Sequence, residues 1–193
     1  MTSDSRARMV RSAASLIRTR GVAGTSFSDV LADSGAPRGS IYHHFPGGKA
    51  QLGAEAVAAS GEFINDLISR GVDADDFVEG FERFWRWWIK FIEADEYRAG
   101  CPVVAIAVES HPEAPELAAA AATTFSRWEH TVARSLSDAG VDEEEALAIA
   151  SLILAALEGA TVMARATGGR EPLVRVGHQL ASLLRARLQS APS

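Results

Sequence analysis

Residues 25–52 read TSFSDVLADSGAPRGSIYHHFPGGKAQL, and this stretch decides the fold. Ser26 is a good N-cap residue and Asp29 stands three positions on, the spacing of a capping box, so a helix is expected over 27–34. Val30 and Leu31 form its inward face, and Gly35 ends it by accepting a positive φ. Pro37 suits the first position of the next helix, where a missing N–H costs nothing. That helix is short, about 37–43, with Phe45 closing it and Pro46-Gly47-Gly48 forcing a turn. The pattern is a helix-turn-helix whose second helix is polar and tipped with an aromatic ring and histidines. Such an element has the size and chemistry to lie in a DNA major groove.

Outward from this stretch, Met9, Ala13, Leu16 and Ile17 recur at helical spacing and Gly21 supplies a stop, predicting a helix over 3–20. The expected core of the three-helix module is Ile17, Phe27, Val30, Leu31, Ile41 and Phe45. A fourth helix is predicted over 49–70, bounded by Gly71 and the acidic Asp73–Asp76 cluster. A fifth, 75–94, carries Phe77, Phe81, Phe84, Trp85, Trp87, Trp88 and Phe91. A short apolar helix over 103–109 is broken by His111-Pro112, and three more follow over 113–139, 142–167 and 172–189. Strand-like alternation is absent. The fold class is therefore all-α with about nine helices. An N-terminal helix-turn-helix domain over 1–48 precedes a helical body over 49–193.

Charge supports that division. The 193-residue chain has a net charge of −6, which taken alone opposes binding to a polyanion such as DNA. Residues 1–50, however, hold Arg6, Arg8, Arg11, Arg18, Arg20, Arg38 and Lys49 against Asp4, Asp29 and Asp33, a net +4 that leaves −10 on the remainder. The basic end can meet phosphates while the acidic body stays off the polyanion. No apolar run is expected to reach the roughly 20 residues that span a bilayer. The N-terminal MTSDSRARMVRSAASL lacks a signal-peptide pattern. With one cysteine, Cys101, no intramolecular disulfide forms. A cytoplasmic protein with no membrane partner is expected.

Catalytic patterns are missing. The histidines are His43, His44, His111, His130 and His178, and none forms the Glu-x-x-His or His-x-x-x-His pair of a helical metal site. There is no Gly-x-Ser-x-Gly, phosphate-binding loop or dinucleotide fingerprint. Cys101, before Pro102, has no activating base in the sequence and reads as a small interior hydrophobe. No catalytic residue, metal site or cofactor is expected.

Residues 9–52 resemble the DNA-binding domain of the tetracycline-repressor (TetR) family. The resemblance is carried by Gly39-Ser40-Ile41-Tyr42-His43-His44-Phe45 with Lys49 and Leu52. Phe45-Pro46-x-Gly48-Lys49, Gly100-Cys101-Pro102 and Leu157-Glu158-Gly159-Ala160 are similar to the LmrA/YxaF-like, multidrug-type branch. In many members one residue fewer separates the Phe and the Lys, so the turn before Lys49 is longer here. The resemblance implies a homodimeric regulator, a repressor in its usual role, on a partly palindromic operator of double-stranded DNA. Arg38 would fork onto a guanine edge or meet a phosphate. Gly39 and Ser40 would allow close approach at the start of the recognition helix. Tyr42 and His44 would reach phosphates, and His43 a phosphate or a base. Thr25 and Ser26 would offer hydroxyls beside a helix N-terminus, and Lys49 a charge.

In the acidic body, large rings facing small neighbours can leave an apolar cavity. An apolar or aromatic small-molecule effector is expected between the fifth, seventh and eighth helices, among Phe63, Phe81, Phe84, Trp85, Trp88, Phe125, Trp128 and Met163. The last two helices, through Leu147, Ala150, Leu154, Leu157, Val176, Leu180, Leu183 and Leu184, are expected to form the dimer interface as a four-helix bundle. The competing readings are a transcriptional activator and a helical interaction protein without a small-molecule effector.

Overall fold

The capping box dictated by Ser26 and Asp29 forms. In α2 (Phe27–Ser34) the Ser26 hydroxyl accepts the Asp29 N–H at 3.2 Å, and the Asp29 carboxylate accepts the Ser26 N–H at 2.9 Å. Gly35 closes the helix in the left-handed region, at φ 63°. The computed structural model describes residues 2–72, 76–109 and 114–189, excepting the side chains of residues 2, 3 and 72. Nine helices and no strand occur among them. Asp73 and Asp75 of the acidic cluster, and the His111-Pro112 break, lie outside the described residues.

The chain packs as two units that are interleaved in sequence: Met1–Phe63 with Gly100–Phe125, and Ile64–Ala99 with Ser126–Ser193. The first holds α1 (Thr2–Arg20), α2, α3 (Ser40–His44), the start of α4 (Gly48–Val72), α6 (Pro102–Glu109) and the start of α7 (Pro115–Asp138). Helix α1 packs against α2, α3 and α6. Met9, Ala13, Ile17, Val30, Ile41 and Phe45 are buried, as are Leu52, Ala56 and Val57 of α4. The break expected after residue 48 thus falls inside a unit, because the apolar stripe of α4 continues the core past the turn. Phe27 and Leu31, expected in that core, are only half-buried.

In the second unit, α5 (Phe77–Glu93) is the organiser. Asp76 caps it, accepting the Val78 N–H at 2.7 Å. Helices α8 (Glu143–Thr167) and α9 (Glu171–Gln189) pack on each other, and α5 packs on α9. Two indoles tie these helices together. Trp85 Nε1 donates to the Leu173 carbonyl at 2.9 Å, and Trp88 Nε1 to Thr161 Oγ1 at 2.8 Å. Both donors are buried and satisfied, as tryptophans in a core require.

By length and composition α8 is long and apolar enough to cross a membrane, with a mean hydropathy of 2.0 over its most apolar window. Ser151, Glu158 and Gly159 interrupt the apolar run, which is why no such segment stands out in the sequence. Its face through Ala146, Ala150, Ile153, Leu154 and Leu157 is buried in the protein core, which accounts for part of the composition, 44% of that window being buried.

Candidate nucleic-acid interface

Residues 36–49 build the surface that can meet DNA. The recognition helix starts three residues later than the sequence predicts. Pro37 lies in a turn instead of the first helical position, because both the N–H and the hydroxyl of Ser40 donate to the Pro37 carbonyl, at 2.9 and 2.7 Å. Gly39 is the N-cap and makes no side-chain cap. The helix is then held from below by Ile41 and Phe45, both fully buried. Tyr42 stands 71% exposed, with its ring edge-on to Phe27 at 5.4 Å between centroids. The phenol tip is therefore presented to solvent from a fixed base. His43 is exposed and His44 half-buried, their rings 5.5 Å apart.

Arg38 and Lys49 are exposed at either end of this helix, and neither has an ion-pair partner among the described residues. Of the other basic groups of the unit, Arg6 pairs with Glu55 at 2.5 Å, Arg8 with Asp4, and Arg20 with Asp29 at 3.7 Å, whereas the exposed Arg11 likewise has no ion-pair partner among the described residues. Between Phe45 and Lys49 the turn closes through Gly48 N–H to Phe45 O at 3.0 Å, with Gly48 at φ 74°. Only glycine holds that conformation cheaply. Gln51 Oε1 accepts the Gly47 N–H at 2.8 Å, a support that sequence reading missed. A depression of about 690 Å³ runs over α2 and α3, lined by Ser26, Ser28, Leu31, Ala32, Arg38 and Tyr42 among others.

Thr25 is a correction. It is 4% exposed, its hydroxyl donates to the Gly21 carbonyl at 2.8 Å and its N–H to the Val22 carbonyl at 3.2 Å, so it shapes the turn and offers no free hydroxyl. Ser26 is exposed but its hydroxyl is shared between Asp29 and Ser28, the latter at 2.7 Å. These hydrogen bonds hold the Asp29 carboxyl below its ordinary value, first through the Ser26 hydroxyl, then through the Ser26 backbone, with Arg20 and Lys49 adding smaller attractions.

In the second unit, a cavity of about 30 Å³ is lined wholly by apolar residues of α4, α5, α7 and α8, including Phe77, Phe81, Phe84, Trp85, Ile153 and Leu157. Of the effector residues expected from sequence it brings together Phe81, Phe84 and Trp85. Trp88 and Trp128 are buried in the core and do not line it, and Met163 is 51% exposed. Phe63 and Phe125 belong to the other unit, where Phe63 is 55% exposed. Helical spacing places a ring on a face but does not say which neighbour it meets.

The expected dimer residues divide the same way. Ala150, Leu154, Leu157, Leu180 and Leu184 are buried within one chain, so they are not on a surface that a second copy can reach. Leu147 and Leu183 are exposed, Val176 is half-buried, and Leu152, Val162, Met163 and Val174 extend the exposed apolar set on α8 and α9.

The chain is similar over residues 10–56 to the bacterial regulatory proteins of the tetR family. Over residues 78–179 it is similar to the C-terminal domain of LmrA/YxaF-like transcriptional regulators. It is 41% identical over 189 residues to an HTH-type transcriptional regulator of Mycobacterium tuberculosis, covering 95% of each chain. It is 32% identical to the regulator YxaF of Bacillus subtilis, covering 95% of this chain and 97% of that one. A TetR transcriptional regulator from Chloroflexus aurantiacus superposes with a TM-score of 0.79 at 28% identity, over 95% of this chain and 96% of that one. The fold is shared with CifR, solved with a 26-bp double-strand operator DNA, at a TM-score of 0.73 and 21% identity over 96% of each chain.

Proposed function

Because the chain belongs to the TetR family of bacterial transcriptional regulators, which bind DNA and are not enzymes, we propose that it is a cytoplasmic repressor. It binds a partly palindromic operator as a homodimer and leaves it when a small apolar effector binds. The observation that carries the DNA part is the exposed, ring-braced Tyr42 of α3 flanked by two exposed cations that have no ion-pair partner among the described residues, Arg38 in the turn before the helix and Lys49 at the start of α4. Neutral and cationic donors so placed meet phosphates, and Arg38 reaches a base edge or a phosphate. Gly39, Ser40, His43 and His44 complete the contact surface, and Ser26 presents the N-terminus of α2 to the backbone.

The homodimer rests on the exposed apolar residues of α8 and α9, since Leu147, Leu152, Val162, Val174 and Leu183 stand on two neighbouring helices. Apolar surface of this kind is typical of interfaces. The effector part rests on the cavity. Its lining has no charged or polar side chain, so an uncharged ligand is favoured, because a buried unpaired charge is costly. At about 30 Å³ it is far smaller than the roughly 300 Å³ or more of a drug-sized site. Ligand entry therefore requires the half-buried Phe84 to swing and the helices to part, and that difference between states is what a ligand exploits.

The test is binding of variants to the duplex that the wild-type protein selects. Arg38→Ala is expected to relax preference at one position per half-site, costing about 1–3 kcal/mol, if it reads a base. Lys49→Ala is expected to weaken binding to all duplexes alike and lower the salt slope by about 1. Unchanged affinity and salt slope in both variants would remove the segment from Arg38 to Lys49 from the interface.

A further inference from the structure

We propose that Glu109 is a positioning residue for DNA binding: its carboxylate, at the last position of α6, holds the turn that delivers α2 and α3 to the duplex. The proposal rests on the DNA-binding reading above.

The Ala23 backbone N–H donates to Glu109 Oε2 at 2.9 Å, across 86 residues of sequence. The carboxylate also fills the space beside Gly21, where an added Cβ would stand 2.0 Å from Oε1 and 2.9 Å from Oε2. Gly21 has φ 75°, a backbone conformation that favours glycine, and the missing Cβ leaves the room that the carboxylate occupies. The rest of the turn closes on itself through Gly21 N–H to Ile17 O at 2.9 Å and the two Thr25 hydrogen bonds already described. The other end of α6 is tied to α1 as well. Gly100 N–H donates to Arg18 O at 2.8 Å, and Arg18 Nε returns to Gly100 O at 3.3 Å. Helix α6 is thus fastened at both ends to the C-terminal end of α1 and the turn that follows it.

Two features set Glu109 apart from an ordinary surface acid. A negative charge at a helix C-terminus faces the negative end of the helix dipole. Local preference therefore argues against it, and a residue that breaks a local rule is expected to be compensated by a specific interaction. Ala23 N–H is that interaction. The turn also leads within three residues to Ser26, the N-cap of α2, and on to Phe27, against which Tyr42 is braced. A shift of the turn is passed to the tyrosine by covalent and packed contacts, and binding constellations tolerate only about 0.5 Å of such displacement.

The test compares Glu109→Ala and Glu109→Gln in the full chain. Affinity is measured on the duplex selected by the wild type and on a scrambled duplex, alongside amide hydrogen exchange at Ala23. Removing the acid relieves the dipole, so the alanine variant is expected to fold. It should bind the selected duplex about tenfold more weakly, the worth of one hydrogen bond to a charged group, with the scrambled duplex little affected and Ala23 exchanging faster. Glutamine keeps an oxygen acceptor and should stay within about twofold of wild type on both duplexes. Unchanged exchange at Ala23 in the alanine variant overturns the contact. Faster exchange with undiminished affinity overturns the positioning role, and a glutamine variant as weak as alanine overturns the hydrogen-bonded mechanism. A wild-type protein that prefers no duplex overturns the DNA-binding reading and with it the positioning role, whereas unchanged exchange at Ala23 with duplex preference intact overturns the Glu109 contact alone.

Discussion

Ser26 and Asp29 show how much a few side chains decide at the residue scale. Each satisfies a backbone N–H that α2 would otherwise leave orphaned. Ser26→Ala is expected to lower folding stability by about 1 kcal/mol, measured by urea denaturation. Asp29 adds a pH dependence of known sign. Its carboxyl is held below the ordinary value of 3.8 by the Ser26 hydrogen bonds, so its contribution is present above 3.8 and is lost as pH falls through the lower folded value. The melting temperature of Asp29→Ala should therefore lie below wild type at pH 7, and the gap should close as the solution is acidified below 3.8. A gap constant with pH would mean that the carboxylate form contributes nothing to the cap. This part of the fold was legible in the sequence, because a capping box is a local pattern with a local consequence. Thr25 was not legible: whether its hydroxyl faces solvent or the Gly21 carbonyl depends on the path of the turn.

Among the elements, α5 and α9 depend on a residue with no side chain. An added Cβ on Gly177 would meet Trp85 Nε1 at 2.2 Å and Cδ1 at 2.5 Å. The indole cannot yield easily, since its N–H is tied to the Leu173 carbonyl one turn away. Gly177→Ala is expected to destabilise by about 1–3 kcal/mol despite the better helix propensity of alanine. Calorimetry on the pair would settle it, and an unchanged or raised melting temperature would mean that α9 slides without cost. Element boundaries followed the same rule as the residues. Helix α2 begins and ends where Ser26 and Gly35 direct it. The start of α3 depends on Ser40 turning its hydroxyl back to Pro37, which competes with the helix start that proline alone would suggest. The assignment of α6 to the first unit depends on Arg18, Gly100, Ala23 and Glu109, pairs more than 80 residues apart that no local pattern announces.

For the whole molecule, the charge division and the apolar surface of α8 and α9 make joint demands. A chain that is acidic overall offers DNA its basic first 50 residues, and two such segments on one duplex need a second copy held through another surface. Light scattering at micromolar concentration is expected to give twice the chain mass of 20.5 kDa. Leu183→Lys is expected to shift it toward the monomer, because Leu183 is 59% exposed in the single chain and its replacement leaves the core intact. A wild-type monomer at that concentration would remove the basis for a palindromic site. The apolar cavity belongs to this scale too: its rings were readable as an aromatic helix, but which of them enclose space follows from how α4, α5, α7 and α8 meet.

The most direct test of the central claim is selection from random duplex DNA with the bound sequences read out. An inverted repeat is expected to be enriched, with half-site centres separated by about one helical turn or a multiple of it. Binding that is weak, salt-sensitive and without any enriched sequence would contradict it, and would leave the helix-turn-helix as a scaffold for contacts other than DNA.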